Sequence, residues 1–234
     1  MKSKLLFGSW IQRGNAMPIR FLLEYTQTIY DEKIYYQEHE SEWFQKDQKL
    51  FKHFANLPYI IDGNLQLTDV QTVMNYIAKR NSKFVQLLGI GHGNDEDRIN
   101  QINLVISEIG LYVKEQFFNP RVHEEKRDFL NRCQKKFGNI VNLRRKNKFI
   151  FPYLATADFN LVELLLHYKC LDNDLFEKNL PSLNEYIYHF YSLPEIQDYI
   201  KTERYQMHTE FFSQNQAIIS GKDFITQFNS QFIK

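Results

Sequence analysis

The stretch FGSWIQRGN, from Phe7 to Asn15, sets the hydroxyl of Ser9 beside a tryptophan where a strand pattern gives way to a helix. A hydroxyl fixed at such a turn can hydrogen-bond a nucleophile lying across it and lower its pKa. A small polar residue can also simply end a strand. The other reactive side chains offer less. His39, His53, His92, His123, His167, His189 and His208 form no metal spacing such as HExxH, so no metal is expected. His167 has apolar helical neighbours and reads as a hydrogen-bonded core residue. Cys133 and Cys170 match neither metal nor redox spacing and suit buried, reduced thiols. There is no P-loop and no nucleophile elbow.

The bulk composition narrows the class. Of 234 residues, 43% are hydrophobic and 24% charged, which reads as soluble and globular. Lys plus Arg is 29 against 28 for Asp plus Glu, so the basic excess of a nucleic-acid binder is missing. The run Arg144-Arg145-Lys146-Asn147-Lys148 reads as a solvated loop, and Asp95-Glu96-Asp97 as a solvated helix start. MKSKLLFGSW lacks the apolar core of a signal peptide, and no 18-residue apolar run occurs. An intracellular, cytoplasmic protein with no membrane span is expected.

Local patterns then supply the elements that would position Ser9. Lys4 to Trp10 is a short buried strand, and Ile19, Leu22, Leu23 and Tyr30 recur near helical spacing after it. Lys33 to Tyr36 suggests a second strand. Asn56-Leu57-Pro58-Tyr59-Ile60-Ile61-Asp62-Gly63 places a proline at a strand entrance and a DG turn at its end, so a hairpin through Leu65 and Leu67 follows. Thr68-Asp69 caps a helix carrying Val70, Val73, Met74 and Ile77. From Arg98 to about Ile200 the pattern is helical throughout. The expectation is an α/β domain over 1–81, a linker over 82–97, an all-helical domain over 98–205 and a C-terminal extension over 206–234.

GSWIQRG, IRFLLEYT, FANLPYIIDG, TDVQTVMNYIAKR and NLPSLNEYIYHFYSLPEIQDYI, in that order, resemble the mu class of glutathione transferases from residue 5 to about 205. The resemblance implies a thioredoxin-like N-terminal domain with the glutathione site and a helical domain forming the co-substrate pocket. It implies a cis Pro58, with Leu57 offering its backbone to the tripeptide. Where the family has its thiol-activating tyrosine this chain has Ser9, whose shorter arm falls several ångströms short of the sulfur. Trp43 matches a residue that holds the glycine carboxylate, but its basic companions align with Glu40 and Asp47, which repel an anion, unless a one-residue shift in this short loop brings Lys46 or Lys49 into their place. At the γ-glutamyl end the family's Gln-Ser pair is Asp69-Val70. Trp10, Asn56, Leu57 and Pro58 are retained, and Glu108 stands where a dimer partner's acid meets the ligand ammonium. Phe118 replaces an acceptor-pocket tyrosine, and Phe54 matches an aromatic inserted into the dimer partner.

The polar losses run together, so the expected function is a non-catalytic structural or interaction subunit with an eroded glutathione site. It would form a homodimer, pair with a related subunit or join a larger assembly, binding glutathione weakly if at all and needing no cofactor. Two alternatives stand beside it: an active mu-like transferase conjugating glutathione to hydrophobic electrophiles, and a non-catalytic binder of hydrophobic ligands. In the tail, Phe224, Phe228 and Phe232 recur every four residues beside Ile225 and Ile233. That face would either fold back onto the helical domain or dock a partner.

Overall fold

The apolar run that opens the chain becomes the inner strand of a four-stranded sheet. A computed structural model describes residues 4–208 and 221–232, with the side chains at 123, 126 and 221–224 outside that description. Strand β1 (Leu5–Trp10) pairs in parallel with β2 (Tyr30–Tyr35) and antiparallel with β3 (Tyr59–Asp62), which pairs antiparallel with β4 (Leu65–Thr68). The sheet order is β2-β1-β3-β4. Two helices, α1 (Met17–Tyr25) and α2 (Val70–Arg80), contribute Ile19, Phe21, Leu22, Val73, Met74 and Ile77 to the core beside it.

β2 starts at Tyr30, three residues before the strand expected from the sequence. Its first half, YDEK, lacks an apolar signal because β2 is an edge strand whose charges are paired. Lys4 meets Asp31, Arg20 meets Glu32 at 2.7 Å and Lys33 meets Asp47 at 2.6 Å. Charged edges of this kind also discourage strand addition by other chains. The span expected as a linker is partly built: Ser82–Leu88 is a 3-10 helix that buries Leu87 and Leu88.

The helical part comprises α3 (Asp95–Gln116), α4 (Val122–Arg144), α5 (Thr156–Leu171), α6 (Asn173–Asn179), α7 (Pro181–Tyr191), α8 (Pro194–Ile200) and α9 (Glu203–Gln206). Prolines at the first turns of α7 and α8 cost no hydrogen bond, since those N–H groups have no partner within a helix. Buried Asp158 ties the start of α5 together, accepting from the backbone N–H of Ile150 and Ala155 and from Tyr186 Oη.

The tail helix α10 (Gly221–Asn229) folds back. Ile225 and Phe228 are buried, Phe228 lies 5.0 Å from the Tyr191 ring, and Phe232 lies 5.2 Å from Tyr188. The aromatic surface of α7 thus buries Phe228 within the chain, which is the fold-back outcome at that position, and leaves Phe232 partly buried beside it. The side chain of Phe224 lies outside the described residues.

Candidate functional site

The first turn after β1 is held from below by a buried ion pair. Arg13 donates to both carboxylate oxygens of Glu163 on α5, at 2.7 and 3.2 Å, and the N–H of Gly14 adds a third donor at 3.0 Å. Both charged groups are almost wholly shielded from solvent. Glu163 is held below its ordinary carboxylate pKa because the Arg13 charge and these donors outweigh its burial. Gly14 adopts φ +82°, where a side chain would be strained. The pair therefore fixes the turn against the helical part of the chain.

Ser9 is committed at the same turn. Its hydroxyl donates to the Trp10 carbonyl at 3.1 Å and accepts from Arg20 Nη2 at 2.6 Å. Arg20 is buried, donates to Glu32 through Nε and places its guanidinium 5.6 Å from the Phe7 ring. A serine has one O–H proton. That proton already has an acceptor, and the Arg20 charge occupies the other side of the oxygen.

Between the sheet unit and the helices runs a cleft with two chambers. The larger, about 400 Å³, lies among the N-terminal ends of α1 and α2 and the facing sides of α3 and α5. The smaller, about 190 Å³, is bounded by Ser9, Trp10, Leu57, Pro58 and Phe118 among others. Gly14, Asn15, Lys114 and His167 border both chambers. Lys114 Nζ donates to Asn15 Oδ1, a bar from α3 to the turn before α1. Burial pushes the Lys114 pKa down against the opposing pull of Glu163. His167 donates through Nδ1–H to the Glu163 carbonyl, 2.8 Å away, and burial lowers its pKa to about 4, so it is neutral at pH 7.

The family profile described as "Glutathione S-transferase, N-terminal domain" matches residues 7–79, and "Glutathione S-transferase, C-terminal domain" matches residues 110–203. The chain belongs to the glutathione transferase family. It is 29% identical over 222 residues to Glutathione S-transferase Mu 1 of Rattus norvegicus, covering 89% of this chain and 95% of the relative. It is similar as well to Glutathione S-transferase B of Cavia porcellus, 28% identical over 86% of this chain and 93% of the relative. Glutathione S-transferase of the mite Dermatophagoides pteronyssinus is 28% identical over 86% of this chain and 92% of its own length.

Measured against the positions that this family membership brings forward, the transferase cleft is partly assembled. The Leu57–Pro58 bond is cis, and the Leu57 N–H donates to Asn56 Oδ1 at 2.9 Å. Trp10 is half-buried, its ring 6.2 Å from Tyr35, and borders the smaller chamber. Trp43 does not line either chamber. It is buried, stacked on Tyr59 at 5.8 Å within a cluster of Tyr35, Phe51, Leu57 and Tyr59. Asp47 is held by Lys33 and the Tyr35 hydroxyl, and Glu40 is exposed. Asp69, at φ +73°, accepts from the N–H groups of Gln71 and Thr72 and so caps α2 with its own carboxylate; Val70 packs against the core. Glu108 is exposed and paired with Lys136 of the same chain. Phe118 is 39% exposed at the mouth of the smaller chamber, and Phe54 is 90% exposed at φ +52°.

Sequence reasoning passed over Lys114, Asn103 and the partners Arg20 and Glu163. A lysine or asparagine on a long helix reads as solvated until a second element covers that face. An arginine inside a mostly apolar helix start, as in IRFLL, was the one available sign that Arg20 must be paired.

Proposed function

We propose that this chain is a glutathione-transferase-fold protein with an eroded thiol-activating site, serving as a non-catalytic structural or interaction subunit. The commitment of the Ser9 proton to the Trp10 carbonyl, with Arg20 donating to the same oxygen, carries the reading. A hydroxyl that activates a thiol must donate to the sulfur. Asp69 adds to it: its carboxylate takes the N–H groups of Gln71 and Thr72 at the start of α2 and sets a negative charge there that opposes an incoming carboxylate.

Association with a second copy or related subunit fits the surface. On α3, Leu104, Leu111 and Tyr112 are all exposed, Leu104 and Leu111 where the helix borders the larger chamber, and Phe54 is exposed on the sheet unit. Exposed apolar groups in such number mark an interaction surface. Among the described residues no helix is long and apolar enough to cross a membrane. A conjugation assay with glutathione and a standard aromatic electrophile, alongside molecular mass in solution, tests both parts. Turnover abolished by Ser9→Ala would overturn the first, and a monomer at high concentration the second.

A second reading, a binder of hydrophobic ligands without thiol activation, is favoured by the larger chamber. At about 400 Å³ it is within the range of small-molecule sites.

A further inference from the structure

From Phe129 to Ala157 the sequence holds seven Lys or Arg and no Asp or Glu, in a chain whose net charge is +1. A solvated helix face usually mixes the two signs, and like charges three or four residues apart repel. A segment of one sign therefore needs a reason. Two of the seven cations are engaged within the chain. Lys136 pairs with Glu108, and buried Arg144 donates to the Ser182 carbonyl at 2.8 Å beside Glu185. The other five, Arg132, Lys135, Arg145, Lys146 and Lys148, are exposed, and none forms an ion pair among the described residues.

Helix α4 sets out the first of them. Its buried Leu130, Cys133, Phe137 and Ile140 pack into the core. At 3.6 residues per turn, Arg132, Lys135, Asn139, Asn142 and Leu143 fall within about 100° of its circumference on the other side. All five are exposed, Leu143 by 43%. From Arg132 to the helix end at Arg144 the stripe is about 18 Å long, at 1.5 Å per residue. Arg145, at φ +55°, then leaves the helix, and the turn after it carries Lys146 and Lys148. The helix dipole favours cations only within the last turn, so it does not account for Arg132 or Lys135. Asp128, exposed one turn before Arg132, marks where the basic stripe stops.

We propose that this face docks on an anionic lipid surface, with its five cations among the headgroups and Leu143 entering the layer between them. Neither chamber of the cleft is lined from α4, so the helix presents a ridge and not a groove that could take up an acidic peptide. The stripe carries no aromatic ring on which a base could stack, and a net charge of +1 gives little long-range pull on nucleic acid. A plane of headgroups asks only for a convex row of cations with an apolar side chain beside them. This surface lies apart from the cleft and does not depend on the reading of Ser9.

The test is co-sedimentation of the full chain with vesicles of phosphatidylcholine, alone or mixed two to one with phosphatidylserine. In about 0.1 M salt the mixed vesicles should bind about tenfold more tightly or better, and in about 1 M salt, where the Debye length is about 3 Å, that preference should vanish. Each Lys or Arg near such a surface contributes about fivefold, so Arg132→Gln with Lys135→Gln should weaken binding about 25-fold. Lys79→Gln with Lys201→Gln removes the same charge from exposed positions elsewhere and should stay within about twofold of the unaltered chain. Leu143→Ser should weaken vesicle binding about threefold. Unchanged melting temperatures show that each variant is folded. Equal binding to the two vesicle types, an equal loss in the Lys79 and Lys201 pair, or an unchanged affinity in Leu143→Ser would overturn the proposal. A preference for duplex RNA or for polyglutamate over the mixed vesicles, at equal anionic charge, would overturn it as well.

Discussion

Replacing Ser9 by alanine separates a structural hydroxyl from a catalytic one. In the structure the Ser9 oxygen accepts from Arg20 Nη2 at 2.6 Å, and that nitrogen has a longer alternative at the Trp10 carbonyl, 3.2 Å away. Arg20 Nη1 is buried and has no hydrogen-bond partner among the described residues, so the guanidinium has little reserve. A hydrogen bond to a charged group contributes about 1.5–3 kcal/mol. The retained bond to Trp10 should hold the loss near the lower end, about 1.5–2 kcal/mol. For a chain of this size each kcal/mol lowers the melting temperature by about 2–4 °C, so Ser9→Ala should melt roughly 3–8 °C lower. Urea unfolding gives the energy, calorimetry the temperature, and a glutathione conjugation assay the activity. The account predicts a shifted midpoint and no change in conjugation rate above the uncatalysed background. An unshifted midpoint together with a lost rate would refute the assignment of Ser9 to the Arg20 network.

Other perturbations follow from the same contacts. Glu163→Gln leaves Arg13 buried without its counter-charge and should destabilise the chain by about 3–5 kcal/mol in urea titration, whereas replacing both partners by apolar residues should recover most of that loss. Burial holds His167 near pKa 4 and His208 near 3, both below the ordinary 6.5, so the unfolded chain takes up protons that the folded one refuses. Stability should be intact above about pH 6.5 and fall toward pH 4, by roughly 3 kcal/mol from His167; Asp158, raised to about 6, opposes this between pH 6 and 4. His208→Gln should flatten the acid limb of a urea-midpoint profile against pH. Phe228→Ala, which vacates the contact with Tyr191, should cost about 3 kcal/mol, read by chemical denaturation. Gly8→Ala would drive a Cβ to 2.1 Å from the Tyr59 ring and should lower stability by about 1–3 kcal/mol.

Much of this architecture was legible in the sequence because its elements carry their own signals. Leu5 to Trp10 announces a buried strand, Asp62-Gly63 a hairpin, and Asp69 a cap whose carboxylate does accept from Gln71 and Thr72. The start of β2 was not legible, because Asp31, Glu32 and Lys33 take their partners from other elements rather than from a local apolar pattern. Trp43 carried a site expectation from its position alone. Its burial follows from Tyr35, Phe51 and Tyr59 converging on it from separate parts of the chain. Lys114 was hidden for a related reason. On α3 by itself it belongs to a polar face, and only the turn at Asn15 and the side of α5 enclose it. The tail showed its periodicity but not its target, since both outcomes require the same apolar stripe, and Tyr188 and Tyr191 decide between them.

We propose that this fold has kept a cleft and lost the means of ionising a thiol in it. Titration of the chain with glutathione, followed at once by calorimetry and by the ultraviolet absorbance of the thiolate across pH, addresses it most directly. The account predicts no saturable heat below millimolar glutathione and a thiol that ionises as it does in free solution. Micromolar binding with a thiolate formed below neutral pH would contradict it.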